Sequence, residues 1–290
     1  MSAFILRDRY FDPEAGRISS YFCQLFVLIG QDSLQYCILD SEKNSFIALV
    51  DYRLPSFPKN PKILYAQLGQ LISDEKILLK KYPSVFVGID TPWHTLVPSP
   101  LFDPGQVTKY LEFNFNLPQG LHFRSDRVEE IDAHNIYGFL PGSGDFIQTY
   151  FKEAAIVHRS TALIKAIYQY NRVNPDPLSV FLHVRDQYID LVAYDGNRPA
   201  FFNSFPCQSG EDILYFTLYS IEQLKLRPDS VQLFITGMLD AGSDTYRLLE
   251  QYVRSVSFSS RLSIYNYSPF FDQLPAHRYQ ELFAFALCGS

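Results

Sequence analysis

Three small clusters in this chain hold residue types that can do chemistry. His183, Asp186 and Asp190 are metal-ligand types close together in sequence. Strand alternation puts His183 and Asp190 on opposite faces when the turn between them is tight, which argues against a shared ion. Asp90 and His94, separated by Thr91, Pro92 and Trp93, have the composition of an acid–base pair. A structural loop anchored by the chain's only tryptophan is the preferred reading of the same residues. Gly142-Ser143-Gly144 ahead of a short helix resembles an anion-binding nest, although a plain turn uses the same three residues. Cys23, Cys37, Cys207 and Cys288 show no CxxC or Cys/His ligand spacing and read as buried, reduced thiols. No Walker A, GxSxG, HExxH or EF-hand pattern is present.

Composition narrows the classes that remain. The 290 residues are 47% hydrophobic and 19% charged, enough apolar material for one large core or two ordinary ones. The net charge of −6 and the lack of any Lys/Arg cluster argue against nucleic acid as a partner. Charges arrive too early at the N-terminus for a signal-peptide core, and Phe22–Ile29 is too short to span a bilayer. Membrane insertion is therefore not expected, and the cytoplasm is the expected compartment. The aromatic content is unusual, with 25 Phe and 20 Tyr, and suits a core plus partly polar contact surface.

The elements that would position these residues come in two similar runs. After a polar leader at 12–16, Tyr21–Ile29, Leu34–Leu39 and Ser45–Tyr52 are strands separated by the turn residues 30–33 and 40–44. They form an antiparallel meander. Pro55, Pro58 and Pro61 lead into a helix whose face carries Ile63, Leu64, Leu68, Leu71 and Ile72. Val85–Ile89 is a buried strand, and Asp103-Pro104 caps a helix through Phe113. Two strands lie within 122–140, a short helix near 145–150, a strand at Ala154–Val157, and a helix capped by Ser160. Asn171–Pro177 is the candidate linker.

The second run begins with Leu178–Val184, Tyr188–Tyr194 and Ala200–Phe205, with Asp195-Gly196 as a hairpin signal. Ser209–Asp212 is a capping box opening an amphipathic helix, and Val231–Ile235 is a strand ending at Thr236-Gly237. Ser243 caps a helix through Val253, Leu262–Tyr265 is a last strand, and Tyr279–Leu287 a terminal helix. The fold class is therefore α/β and duplicated, with halves at 1–173 and 174–290.

This duplicated order resembles the actin-like ATPase superfamily, the RNase H-like fold of sugar kinases, Hsp70-type chaperones and actin. Ser179–Phe205 is similar to the opening of the second half in type IV pilus assembly ATPase-like proteins. Ser209–Ile213 and Val231–Gly237 arrive where that family has a Gly-rich helix start and an adenosine-contact strand. The sequence also resembles an uncharacterised bacterial family assigned this fold.

The resemblance implies an ATP grip made of two β-hairpins, each with an acid, a glycine and small polar residues. The glycine admits backbone N–H groups to phosphate, and the acid positions Mg²⁺. In the first half the matching turn is Leu28-Ile29-Gly30-Gln31-Asp32-Ser33, with Leu28 where the acid is expected and Asp32 as a substitute from the far side. In the second half His183 replaces the acid and Arg185 the glycine, followed by Asp186. Arg185 carries a charge that attracts phosphate, but its side chain fills the space a glycine leaves. The adenosine segment keeps Gly237 and has Met238 where a second glycine is expected.

These substitutions make ATP hydrolysis an unfavoured activity, and no cofactor is expected. The reading is a non-catalytic actin-like scaffold or protein-binding module with a degenerate nucleotide cleft, an unidentified protein partner and room for homo-oligomers. The alternative is a diverged ATP- or sugar-binding phosphotransferase that uses ATP and Mg²⁺ through Asp32, Arg185 and Asp186 in new roles. A third is a different α/β fold with another activity.

Overall fold

A computed structural model describes residues 4–55, 58, 60–173 and 177–289. The chain divides into two compact units. The first holds the chain through Ala162 with Ser263–Gln273 and the segment from Leu282; the second holds Leu163–Leu262 and Leu274–Glu281. This differs from a single cut at 173/174. The expected linker at 171–177 lies partly outside the described residues, and the helix before it runs through Val173.

The first unit opens with β1 (Ile5–Phe11), a strand absent from the sequence reading. Its residues are largely exposed, so it shows no clear apolar alternation to read. The meander follows as β2 (Cys23–Ile29), β3 (Ser33–Asp40) and β4 (Ser45–Arg53), nearly continuous in buried residues. Helix α1 (Pro61–Asp74) begins where the Asn60 side chain accepts from the Lys62 N–H at 3.0 Å, with Pro61 at its first position. Leu64, Leu68, Leu71 and Ile72 form its buried face, whereas Ile63, expected on that face, is 51% exposed.

β5 (Ser84–Ile89) runs parallel to β2. Then β6 (His94–Pro98), α2 (Val107–Glu112), β7 (His122–Val128) and β8 (Ala133–Phe139) build a separate antiparallel sheet in the order β6-β8-β7, over a small core of Val97, Leu111 and Ile136. Helix α3 (Ser143–Tyr150) and β9 (Ala155–His158) return the chain to the main sheet. Helix α4 (Arg159–Val173) carries it into the second unit, beginning one residue before the expected Ser160 cap.

The second unit contains β10 (Leu178–Val184), β11 (Tyr188–Asp195), β12 (Arg198–Pro206), α5 (Gly210–Gln223), β13 (Gln232–Gly237), α6 (Asp244–Tyr252) and β14 (Ser255–Phe258). Ser209 and Asp212 exchange the reciprocal hydrogen bonds of the expected capping box. A strand at Leu262–Tyr265 is not formed. The strands there are β14 upstream and β15 (Asn266–Tyr267) downstream, and β15 pairs with β4 in the first unit's sheet. Helix α7 (Gln280–Phe283) and a tighter turn at Ala284–Cys288 end the chain.

The duplication is plain in the sheets. The first unit orders its strands β4-β3-β2-β5-β9 and adds β1 at the edge; the second orders them β12-β11-β10-β13-β14. In both, an antiparallel meander is continued by two parallel strands. Parallel strands need covered faces, which explains their apolar runs.

Candidate functional site

The two meanders place equivalent turns at equivalent positions. Gly30 N–H donates to Ser33 O at 2.9 Å, and Arg185 N–H to Tyr188 O at 2.9 Å. Beyond the neighbouring parallel strands, Asp90 N–H donates to Ile29 O at 2.9 Å and Met238 N–H to Val184 O at 2.8 Å. Gly30 thus corresponds to Arg185, Leu28 to His183, and Asp90 to Met238.

In the first unit Leu28 is buried and brings no carboxylate. Asp32 faces Arg53, 3.9 Å from Nη1, and Arg53 Nε also holds the fully buried Asp51 at 3.0 Å. Ser33 is buried beside Gly30. Gly30 and Gln31 line a cleft within this unit, together with Asp90, Thr91 and Ser143. Its remaining walls are mainly apolar, including Leu64, Ile89 and Phe146.

This cleft joins all three motifs that the sequence reading treated separately in the first half: the Gly30 turn, Asp90 and the Gly142–Gly144 loop. In the Gly142–Gly144 loop the Ser143 N–H donates to Leu140 O at 3.2 Å, the bond of an ordinary turn. Ser143 Oγ donates to Leu140 O at 2.7 Å and so accepts from Tyr65 OH at 2.5 Å, which occupies the hydroxyl. Asp90 accepts from Arg159 Nε at 3.0 Å.

The other half of the candidate acid–base pair, His94, packs among the polar residues that open α4. His94 is buried, with Nδ1 3.2 Å from Ser160 Oγ and its ring centroid 4.5 Å from that of His158. The polar run His158-Arg159-Ser160-Thr161, nine-tenths or more buried throughout, lies where β9 becomes α4. Burial first, then the neighbouring His94 and Arg159, hold the His158 imidazole well below its usual range. Burial raises the Asp126 carboxyl despite hydrogen bonds from His158 N–H, Thr161 and Tyr137. These residues were missed as a cluster; the only signal was four polar residues in a row between an apolar strand and an apolar helix.

In the second unit His183 and Asp190 are direct cross-strand partners, which corrects the expectation that they face opposite ways. The strands pair fully from 178 to 184 against 195 to 189, so opposed residues share a face. The side chains are spoken for. His183 Nδ1 lies 2.8 Å from Thr236 Oγ1 and Nε2 3.5 Å from Glu281 Oε2. Arg185 Nε is 3.3 Å from Asp190 Oδ2, and the guanidinium lies over the Tyr188 ring at 5.1 Å. Asp190 also accepts from Ser204 Oγ. Asp186 is exposed on the turn.

Gly237 has φ +84°, and a Cβ there would lie 2.1 Å from Val184 O. Its N–H donates to His277 O at 2.9 Å. The glycine is required by the backbone itself. Cys23, Cys37 and Cys207 are buried and each donates to a backbone carbonyl; Cys288 is half-buried. Among the described residues, no group of three or more His, Cys, Asp or Glu side chains is arranged to hold a metal ion.

The architecture is that of the actin-like ATPases. It is similar to a Bacteroides thetaiotaomicron protein with actin-like ATPase fold and unknown function, with TM-score 0.79, 19% identity, and coverage of 93% of this chain and 97% of that one. A chain of the PilM-PilN type IV pilus biogenesis complex matches with TM-score 0.59, 13% identity, and coverage of 92% and 98%. The chain belongs to the DUF3822 family of proteins of unknown function, whose model matches residues 13–256. No curated protein matches.

Proposed function

We propose that this protein is a non-catalytic actin-like scaffold that binds a protein partner. The observation that carries this reading is the Arg185–Asp190 ion pair at the second hairpin. Where the fold's nucleotide users present bare backbone, this hairpin presents a guanidinium already matched to a buried carboxylate. The first hairpin points the same way, with Leu28 in place of the acid and Asp32 turned to Arg53. The PilM-PilN complex gives a precedent in which this fold occurs in a protein–protein assembly. Among the described residues no helix is long and apolar enough to cross a membrane, and we place the protein in the cytoplasm.

Thermal unfolding with and without millimolar Mg-ATP tests the reading. The expected result is an unchanged midpoint. Binding at a hundred times the dissociation constant would add about 2.7 kcal/mol and raise it visibly. An upward shift that disappears in Arg185→Glu would sink this reading and favour the second, a diverged ATP- or sugar-binding phosphotransferase. That reading draws on Asp32, Arg185 and Asp186 in new roles.

A further inference from the structure

With Asp126 ionised and both imidazoles neutral, the polar network at the joint between β9 and α4 has one self-consistent placement of protons. Asp126 Oδ2 accepts the His158 backbone N–H at 2.7 Å and the Thr161 hydroxyl at 2.8 Å. With the Thr161 proton spent there, Asn135 must turn its NH₂ group to Thr161 Oγ1 at 2.8 Å and Ser160 Oγ at 2.9 Å. The Thr91 carbonyl can only accept, so His158 Nε2, 3.2 Å away, carries the imidazole proton. His158 Nδ1 is then the bare nitrogen. It receives the Ser160 hydroxyl at 2.7 Å and the Ser160 backbone N–H at 3.2 Å. Ser160 has no second proton, so His94 Nδ1, at 3.2 Å, donates to it.

We propose that His158, Ser160 and His94 form an acid-sensitive latch, in which a proton taken up at His158 Nδ1 opens the β9–α4 joint and releases Thr91 from the cleft wall. An imidazolium would aim a new N–H at Ser160, whose backbone N–H at 3.2 Å cannot turn away and whose hydroxyl at 2.7 Å could accept it only by reversing its own proton toward His94. The surrounding charges offer little relief. From the segment after β5 come the Thr91 carbonyl and Asp90, which Arg159 already holds at 3.0 Å. From β6 comes His94, from β8 the Tyr137 ring at 4.9 Å, and from β7 Asp126, engaged by the His158 backbone. On the same segment Arg159 adds a positive charge that is 1% exposed. Thr91 transmits the change because it lines the cleft, accepts from His158 and donates to Gly138 O at 2.7 Å. The latch does not depend on what the cleft binds.

Trp93, the only tryptophan, is a built-in reporter: its carbonyl accepts from Gly138 N–H at 2.8 Å, beside Thr91. Trp93 fluorescence and far-UV circular dichroism of the full chain are followed from neutral pH to about pH 4. The expected result is a reversible fluorescence change with its midpoint below about pH 6.5, complete before helix signal is lost. In His158→Gln, whose amide keeps the donor to Thr91 but does not titrate, that change disappears. Fluorescence and dichroism changing together in the native chain, or an unchanged fluorescence step in His158→Gln, would overturn the proposal. Nitrogen NMR of the native protein at neutral pH tests it without any variant. It should show His158 as the Nε2–H tautomer, and a proton on Nδ1 would refute the latch.

Discussion

Arg185 and Asp190 form an ion pair across the β10–β11 turn, with Nε 3.3 Å from Oδ2, the carboxylate wholly buried and the guanidinium side chain only 13% exposed. The position that corresponds to Gly30 in the first unit is thereby closed by a charge and its partner together. Removing Asp190 leaves Arg185 in a low-dielectric setting with a charge it cannot shed. Asp190→Ala should cost about 3 kcal/mol or more of stability, measured by urea unfolding. The double variant Arg185→Met/Asp190→Leu should lie well above the single one in stability. A single variant within about 0.5 kcal/mol of the native protein would show that the pair is not a structural contact.

Gly30 and Gly237 look alike as loop glycines but are held for different reasons. Gly237 adopts φ +84°, and its added Cβ would meet Val184 O, a carbonyl fixed by the Met238 N–H. Gly30 has no such backbone requirement, and its added Cβ would meet Ser33 Oγ at 2.4 Å, the end of a side chain that can rotate. Gly237→Ala should therefore lose about 2 kcal/mol or more, and Gly30→Ala less than about 1 kcal/mol. Equal losses in thermal or chemical unfolding would contradict this assignment.

Much of the fold was legible because its elements carry local signals. Ser209–Asp212 and Ser243 mark helix starts by side chains that satisfy the first N–H groups, and both caps are present. The meanders were readable from turn residues between apolar runs. β1 and β15 were not, since one is mostly exposed and the other spans two residues paired to a strand far away in sequence. The site was legible only as fragments. Gly30, Asp90 and Ser143 are brought to one cleft by parallel pairing and by α3, and no spacing in the sequence encodes that meeting. The face of Asp190 was misjudged because strand alternation was counted through the turn, whereas the antiparallel register decides it.

Gly88 in β5 lies beneath the Phe285 ring, and an added Cβ would come within 2.1 Å of its Cζ. Both residues belong to the first unit, although nearly two hundred positions separate them. Gly88→Ala should lose about 1–3 kcal/mol by overpacking. Because the obstacle is a single side chain, Phe285→Leu should cost less in the Gly88→Ala background than alone. Strict additivity of the two changes in a double-mutant cycle would exclude direct coupling.

The alkaline limb of stability should be set partly by Glu75, just beyond the end of α1. Tyr36 OH donates to it at 2.8 Å and Tyr52 OH at 2.5 Å, while Arg9 Nη1 stands 3.4 Å away. Burial first, with the Glu75 charge and hydrogen bond, pushes both phenols up from their ordinary value; burial likewise pushes Tyr265 up to about 12. A phenol whose folded value is raised gives its full stabilisation below about pH 10, where both states are protonated. Above that, the unfolded chain ionises while the folded one does not, so stability falls as pH rises. Glu75→Gln removes the charge that helps hold Tyr36 and Tyr52 protonated. It should lower stability at neutral pH by about 1–3 kcal/mol and make the decline above about pH 10 shallower. Urea midpoints taken across that range for both proteins measure the two slopes, and parallel slopes would rule out Glu75 as a cause of the tyrosine shifts.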